Sequence, residues 1–233
     1  ACRPYAVAVG PVSVHDYERL CPGDGARIRR EALHALERRV NLLGSGLVQL
    51  PAPIDWHTDF KTGLGWPKRY FRSIDYTNPE RPSDVKVAWE LSRLQWAIPL
   101  GQAYLLEQDE RYASAARQLL DAWIDANPFS VGVNWAVTME VALRILCWTW
   151  LFHAFKRAPA WGDADFRLKL LRALYLHADF TLRHLELSDV NGNHLTADAV
   201  GLVFAGLFFG EGKAARNWLA TGWNLIEAEM PRQ

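Results

Sequence analysis

Asn191-Gly192-Asn193-His194-Leu195-Thr196-Ala197-Asp198-Ala199-Val200-Gly201-Leu202-Val203-Phe204-Ala205-Gly206-Leu207-Phe208-Phe209 is the stretch that decides the fold. Its polar head opens a long run whose one charged residue is Asp198. A helix that is apolar on all sides has to be buried on all sides. Two other segments open in a similar way. Asp84-Val85-Lys86-Val87-Ala88-Trp89-Glu90-Leu91-Ser92-Arg93 leads into residues 96–106. Gly132-Val133-Asn134-Trp135, with Met139, Glu140 and Arg144, leads into residues 145–155. Polar groups gathered at the starts of buried helices predict that several helices aim one end at a common cavity.

Amphipathic segments stand between the buried ones. Residues 109–126 interleave Arg111, Arg117, Asp121 and Asp125 with Ala115, Leu119, Leu120 and Trp123, and end at Asn127-Pro128. Residues 163–186 carry Arg167, Lys169, Arg172 and Arg183 on an outer face, and residues 213–229 are amphipathic again. The buried starts recur at roughly fifty to sixty residues, the length of a two-helix repeat. Strand signals are scarce. The expected fold is therefore all-α: an incomplete (α/α) toroid of alternating inner and outer helices, with the inner starts lining the cavity mouth. An α-solenoid or an irregular bundle is the rival. A solenoid repeats its chemistry at each period, whereas the three starts here differ: Lys-Glu-Arg, Asn-Trp-Glu-Arg and Asn-Asn-His.

Working outward, residues 1–23 are weakly patterned and hold Pro4, Pro11 and Pro22. Asp24 is expected to cap a basic amphipathic helix reaching about Leu43 and stopped by Gly44. Residues 50–82 lack a helical period and contain Trp56, Phe60, Trp66, Tyr70, Phe71 and Tyr76. A loop this long in a compact domain is commonly functional, and it is expected to rim the cavity. Ser83 or Asp84 caps the first buried helix, and Pro99 is expected to break or kink it. The chain divides into an N-terminal segment and helix, 1–49, and a toroid portion, 50–233.

Half of the 233 residues are hydrophobic and the formal net charge is zero. That describes a globular chain with ample core and no global field drawing it to nucleic acid. No run is long and apolar enough for a membrane span. Eleven tryptophans suit a core, and they equally suit stacking on sugar rings. Cys147 lies in an apolar helix and reads as a small hydrophobe; Cys2 and Cys21 can pair in an oxidising compartment. The chain does not begin with Met and shows no signal peptide, so its start is expected to be processed or engineered. The seven histidines form no close ligand motif, although His57 lies between Asp55 and Asp59. No metal or cofactor is expected, and neither GxSxG nor a phosphate loop is present.

One triplet and two pairs carry the site reading. Lys86, Glu90 and Arg93 share one helix face at i, i+4 and i+7, either as a solvated stripe or, flanked by Trp89 and Trp96, as part of a site. Glu140 and Arg144 are i, i+4 inside an apolar helix, where an isolated charge is costly and a mutual pair is expected. That pair is a brace or a ligand contact. His194 and Asp198 are also i, i+4, so the carboxylate is expected to fix the imidazole tautomer. The alternative is a capping turn, with Asn191 or Asn193 as the cap and His194 merely packed.

Several ordered motifs resemble the heparinase II/III-like polysaccharide lyases. They are Gly65-Trp66-Pro67 with Ile74-Asp75-Tyr76, then Asp84-Val85-Lys86 with Trp89-Glu90-Leu91-Ser92-Arg93-Leu94-Gln95. Asn134-Trp135 with Met139-Glu140 and Arg144 follows, then Asn193-His194-Leu195 with Gly201-Leu202. The resemblance covers roughly residues 50–210 and implies an α/α toroid followed by a C-terminal β-sandwich. It implies cleavage of a uronic-acid-containing polysaccharide, heparan- or alginate-like, by β-elimination. It also implies a periplasmic or secreted location.

The implied reaction neutralises the uronate carboxylate, removes the C5 proton and protonates the departing O4. By resemblance Asn193 and His194 fall where donors meet the carboxylate, and His194 can also act as base. Trp66, Tyr70, Trp89 and Trp135 are then candidates to stack on sugar rings. Lys86, Arg93 and Arg144 are candidates to meet carboxylates or sulfates, with Glu90, Asn134 and Glu140 beside them. The partner is an acidic polysaccharide or oligosaccharide. The family's catalytic tyrosine sits after the third buried helix in a Ser-Pro-x-Tyr-His-like segment. These residues contain neither that segment nor the sandwich, so the chain is expected to be an inactive toroid portion. Two other readings remain: a non-catalytic protein that binds acidic polysaccharide or serves exopolysaccharide biosynthesis, and an inverting glycosidase. The glycosidase would use Asp84 and Glu140 as carboxylates separated by about 6.5–9.5 Å.

Overall fold

Acidic caps set where the helices begin. Asp84 accepts from the Lys86 N–H, Asp109 from the Arg111 N–H and Asp163 from the Phe166 N–H, each at 2.9 Å. In the computed structural model, which describes residues 14–188 and 192–232, nine α-helices are seen among the described residues. They are α1 Val14–Leu20, α2 Asp24–Leu36, α3 Val85–Arg93, α4 Ile98–Glu107, α5 Glu110–Ala126, α6 Thr138–Phe155, α7 Ala164–Arg183, α8 Asn193–Phe209 and α9 Lys213–Glu229. Two short antiparallel hairpins complete the ordered elements: β1 Arg39–Val40 with β2 Val48–Gln49, and β3 Thr58–Asp59 with β4 Leu64–Gly65.

The arrangement is the expected toroid segment. Helices α4, α6 and α8 lie side by side in sequence order as the inner layer. Outside them, α5 packs on α4 and α7, α7 on α6 and α8, and α9 on α8. Helix α2 packs on α4 and puts Ile28, Ala32 and Ala35 into the same core as Trp123, Trp148 and Trp161. No helix of the described residues is long and apolar enough to cross a membrane.

Three boundaries differ from the sequence expectation. Helix α2 stops at Leu36, not near Leu43, and its N-cap is Gly23, not Asp24. The chain turns back because Arg38 takes a positive φ of 55° and Val40 then pairs with Val48; Val40 and Leu50 are buried. Gly44 sits in the tip of that hairpin rather than at a helix end. The first buried helix breaks at Leu94, which adopts the left-handed region at φ 59°. Pro99 is not the breaker: it lies in the first turn of α4, where a missing N–H costs nothing. Helix α6 begins at Thr138, and Asn134 and Trp135 form a separate 3-10 turn ahead of it.

The tryptophan surplus is mainly core: Trp223 alone is exposed, and Trp96 and Trp150 are half-buried. Helices meet so closely at two crossings, α8 on α6 within the inner layer and α9 on α8 between the layers, that side chains are excluded. A Cβ on Gly201 would lie 2.8 Å from Ala142 Cβ, and one on Gly222 would lie 2.4 Å from the Ala199 carbonyl oxygen. The second contact is with backbone and has no way to yield. Gly222→Val is therefore expected to push α9 off α8 and to cost about 1–3 kcal/mol, read as a lower denaturation midpoint. An unchanged midpoint would show that this crossing is loose.

Candidate active site

The first turn of α6 meets the last turn of α3 and the loop that follows α7. From one side, Arg93 of α3 donates Nε to Glu140 Oε2 and Nη2 to Glu140 Oε1, both at 2.7 Å. Arg93 also gives Nη1 to Glu90 Oε1 at 2.5 Å. Glu140 is fully buried, and both of its oxygens are met by this two-pronged contact. From the other side, the Met139 N–H donates to Glu186 Oε2 at 2.8 Å, and Thr138 Oγ1 donates to the His184 carbonyl at 2.6 Å. The loop after α7 is thereby tied to the start of α6.

Glu186 is the residue that the helical spacing did not reveal. Its Oε1 lies 3.1 Å from His194 Nδ1, while its own N–H donates to Asp198 Oδ2 at 2.9 Å. The carboxylate facing His194 is thus Glu186, and the expected His194–Asp198 pairing is replaced by Asp198 holding the Glu186 backbone. Its signal in the sequence is faint: one acid between Leu185 and Leu187, just past the end of the outer helix. Tyr76 stands nearby, its ring edge-on to Trp89 at 5.5 Å. Burial, reinforced by the negative charge of Glu186, raises its phenol above the usual range.

Asn193 and His194 occupy the first turn of α8. The helix is capped by Gly192 without a side-chain hydrogen bond, so Asn193 is not the cap. Asn191, the other proposed cap, lies outside the described residues, as does Cys2. Asn193 is exposed, and its amide Nδ2 lies 3.9 Å from Met139 Sδ. The His194 side chain is 45% exposed. A donor and an imidazole therefore stand together, reachable from solvent, at a helix N-terminus that favours negative charge.

Asp198 is fully buried, and its Oδ1 has no hydrogen-bond partner among the described residues. Burial raises its carboxyl to about 7, against one favourable hydrogen bond from the Glu186 N–H. Because the folded value lies above the ordinary carboxyl value of 3.8, the protonated acid is the form that the fold favours. Its contribution is complete below about pH 4 and is lost as pH rises through about 7. The loss is on the order of 4 kcal/mol at its upper limit. Asp198→Asn keeps an acceptor for the Glu186 N–H and is expected to flatten that decline. Parallel stability–pH curves for the two proteins would contradict this.

The remaining candidates divide by access. Asn134 is buried, donating Nδ2 to the Trp56 carbonyl at 3.0 Å and to Asn127 Oδ1 at 2.8 Å. Arg144 does not pair with Glu140 as the spacing suggested. It donates Nη2 to the Asn134 carbonyl at 2.6 Å and Nε to His177 Nε2 at 3.1 Å, and it lies over the rings of Trp123 and Trp135. Burial pulls its guanidinium down to about 9, with Glu140 opposing and Arg93 assisting. Burial, then the Arg144 charge, holds His177 well below its ordinary value, which leaves it neutral and able to accept. Trp135 is packed among Trp123, Phe129, His177 and Phe180.

Trp66 is buried beneath Arg81, whose guanidinium sits 4.1 Å from the ring centre. Trp89 is buried and donates to the Val133 carbonyl at 2.9 Å. These rings brace the aromatic loop against α3, and none presents an open face. Tyr70, 53% exposed, and Lys86, also exposed, are accessible. His57 is buried against Gly132 and meets the Ala126 carbonyl at 3.1 Å. Asp59 accepts from the Lys61 and Asp84 N–H groups. Among the described residues no cluster of His, Cys, Asp and Glu is placed to hold a metal.

The fold is thus an α/α toroid segment with Asn193 and His194 on an inner helix start. The family sequence model described as Heparinase II/III N-terminus matches residues 48–233, and the chain belongs to that family. It is similar to a heparin-sulfate lyase of Bacteroides stercoris, 29% identical over 169 residues, covering 63% of this chain and 24% of that protein. It is also similar to a heparin-sulfate lyase of Bacteroides thetaiotaomicron, 30% identical over 153 residues, covering 62% and 20%. The chain thus spans about a quarter or less of the length of these relatives. In fold it matches the heparan sulfate lyase HepC from Pedobacter heparinus, with a TM-score of 0.70, 24% identity, and coverage of 89% of this chain and 29% of that one. A heparinase III structure matches with a TM-score of 0.68 at 24% identity, covering 89% and 32%.

Proposed function

We propose that this chain is the toroid portion of a polysaccharide lyase that cleaves a uronic-acid-containing polysaccharide by β-elimination. The observation that carries this reading is the exposed pair Asn193 and His194, the latter backed by Glu186, in a chain of this family. The C5 proton of a uronate is weakly acidic because the adjacent carboxylate is already negative. An amide donor at Asn193 and the N-terminal dipole of α8 offset that charge as the enolate-like state develops. His194 either donates to the carboxylate or accepts the C5 proton, according to its protonation state. Tyr70 and Lys86 are the accessible members of the binding set. Glu90, Arg93, Glu140, Asn134, Arg144, Trp66, Trp89 and Trp135 hold the walls behind them. By the family resemblance, turnover also draws on a tyrosine-bearing segment that these residues do not contain.

The glycosidase alternative needs two available carboxylates. Asp84 is engaged by the Lys86 N–H, and Glu140 is buried under the Arg93 fork, so neither is poised for acid–base work. Elimination leaves a double bond that absorbs ultraviolet light, and hydrolysis does not. A form of the protein that includes the tyrosine-bearing segment, incubated with heparan sulfate and with alginate, is expected to raise ultraviolet absorbance on one of them. New reducing ends without absorbance would refute the lyase reading, and binding without any cleavage would favour the non-catalytic one.

A further inference from the structure

Glu186 makes three contacts that together look in one direction. Its backbone N–H is held by buried Asp198, its Oε2 by the Met139 N–H in the first turn of α6, and its Oε1 faces His194 Nδ1. The Met139 N–H is one of the donors that a helix start leaves without an intrahelical acceptor, and a carboxylate there is favoured by the helix dipole. Glu186 is therefore oriented before it meets the histidine. We infer that Glu186 is the positioning residue of His194, holding the imidazole with its proton on Nδ1 and turning Nε2 toward substrate.

The chemistry follows from what each group can do. An ionised carboxylate only accepts, and a neutral imidazole has one N–H and one bare nitrogen. A carboxylate oxygen 3.1 Å from Nδ1 therefore places the hydrogen on Nδ1 and the lone pair on Nε2. Nε2 has no hydrogen-bond partner among the described residues, and the side chain is open to solvent. When Nε2 takes a proton, the resulting imidazolium stays hydrogen-bonded to an anion. Asp198, four residues on, does not share this task, because its Oδ2 is spent on the Glu186 backbone. The consequence for rate rests on the lyase reading above; the tautomer assignment rests on geometry alone.

The test separates the two. Protein labelled with heavy nitrogen at histidine is studied by NMR, with His194 assigned from the signals lost in His194→Gln. His194 is expected in the Nδ1–H form in the wild type. Glu186→Ala is expected to shift it toward Nε2–H, the form histidine prefers in water. In the lyase assay Glu186→Ala should lower kcat by about ten- to a hundredfold with KM little changed. It should cause no further loss in a His194→Ala background. An Nε2–H His194 in the wild type, or a tautomer indifferent to Glu186→Ala, overturns the proposal, and the wild-type spectrum decides even if the alanine variant does not fold. A fully active His194→Ala would instead defeat the lyase reading while the tautomer result stands on its own.

Discussion

His194→Ala, in a form of the protein that includes the tyrosine-bearing segment, is expected to lower uronan cleavage by about a hundred- to a thousandfold, and Asn193→Ala by a similar factor, with the helical fold intact. That is the usual cost of removing one preorganised donor facing developing charge. Preorganisation here has a visible source. Asn193 and His194 sit in the first turn of a helix whose body is buried by α6, α7 and α9, so neither backbone position can drift. Both side chains are accessible, so removing them opens no core cavity and melting should change little. Circular dichroism and a thermal melt beside the rate measurement separate a chemical loss from an unfolding one. A wild-type rate in His194→Ala would make this histidine a packed residue at a helix start.

The second large effect is on stability. Arg93→Met should cost about 3–5 kcal/mol, because it leaves the Glu140 carboxylate buried without its counter-ion. For a domain of this size that is on the order of 10 °C in Tm. The reverse change, Glu140→Gln, should cost less. Arg93 then keeps Glu90, its other partner at 2.5 Å, and the neutral amide tolerates burial better than an unpaired carboxylate. This asymmetry distinguishes a buried ion pair from a surface one, for which both changes would be small. Equal small losses in the two variants would show that the pair is solvated in solution.

The pattern that revealed the toroid is burial on all sides of a helix, which needs no partner to be known. The run from Leu195 to Phe209 has to be enclosed, and α6, α7 and α9 enclose it. Side-chain pairings were less legible, because helical spacing ranks only neighbours on the same helix. It offered Arg144 to Glu140, whereas the partner is Arg93, 47 residues away on α3. It offered Asp198 to His194, whereas Glu186 arrives from the preceding loop. The tryptophans misled in a similar way. An indole suits a sugar face and a core equally, and only the packing of Trp66 under Arg81 and of Trp135 among other rings settles their placement. The end of α2 was missed because a positive φ at Arg38, a residue without a turn signature, starts the β1–β2 hairpin.

The most direct test of elimination at this site is the fate of water oxygen. The protein, with the tyrosine-bearing segment present, acts on its uronan in water carrying heavy oxygen, and the products are weighed by mass spectrometry. The account predicts unsaturated products with no heavy oxygen taken up in the cleavage step, formed by the wild type and nearly absent with His194→Ala. Saturated products that carry heavy oxygen at the new reducing end would contradict it.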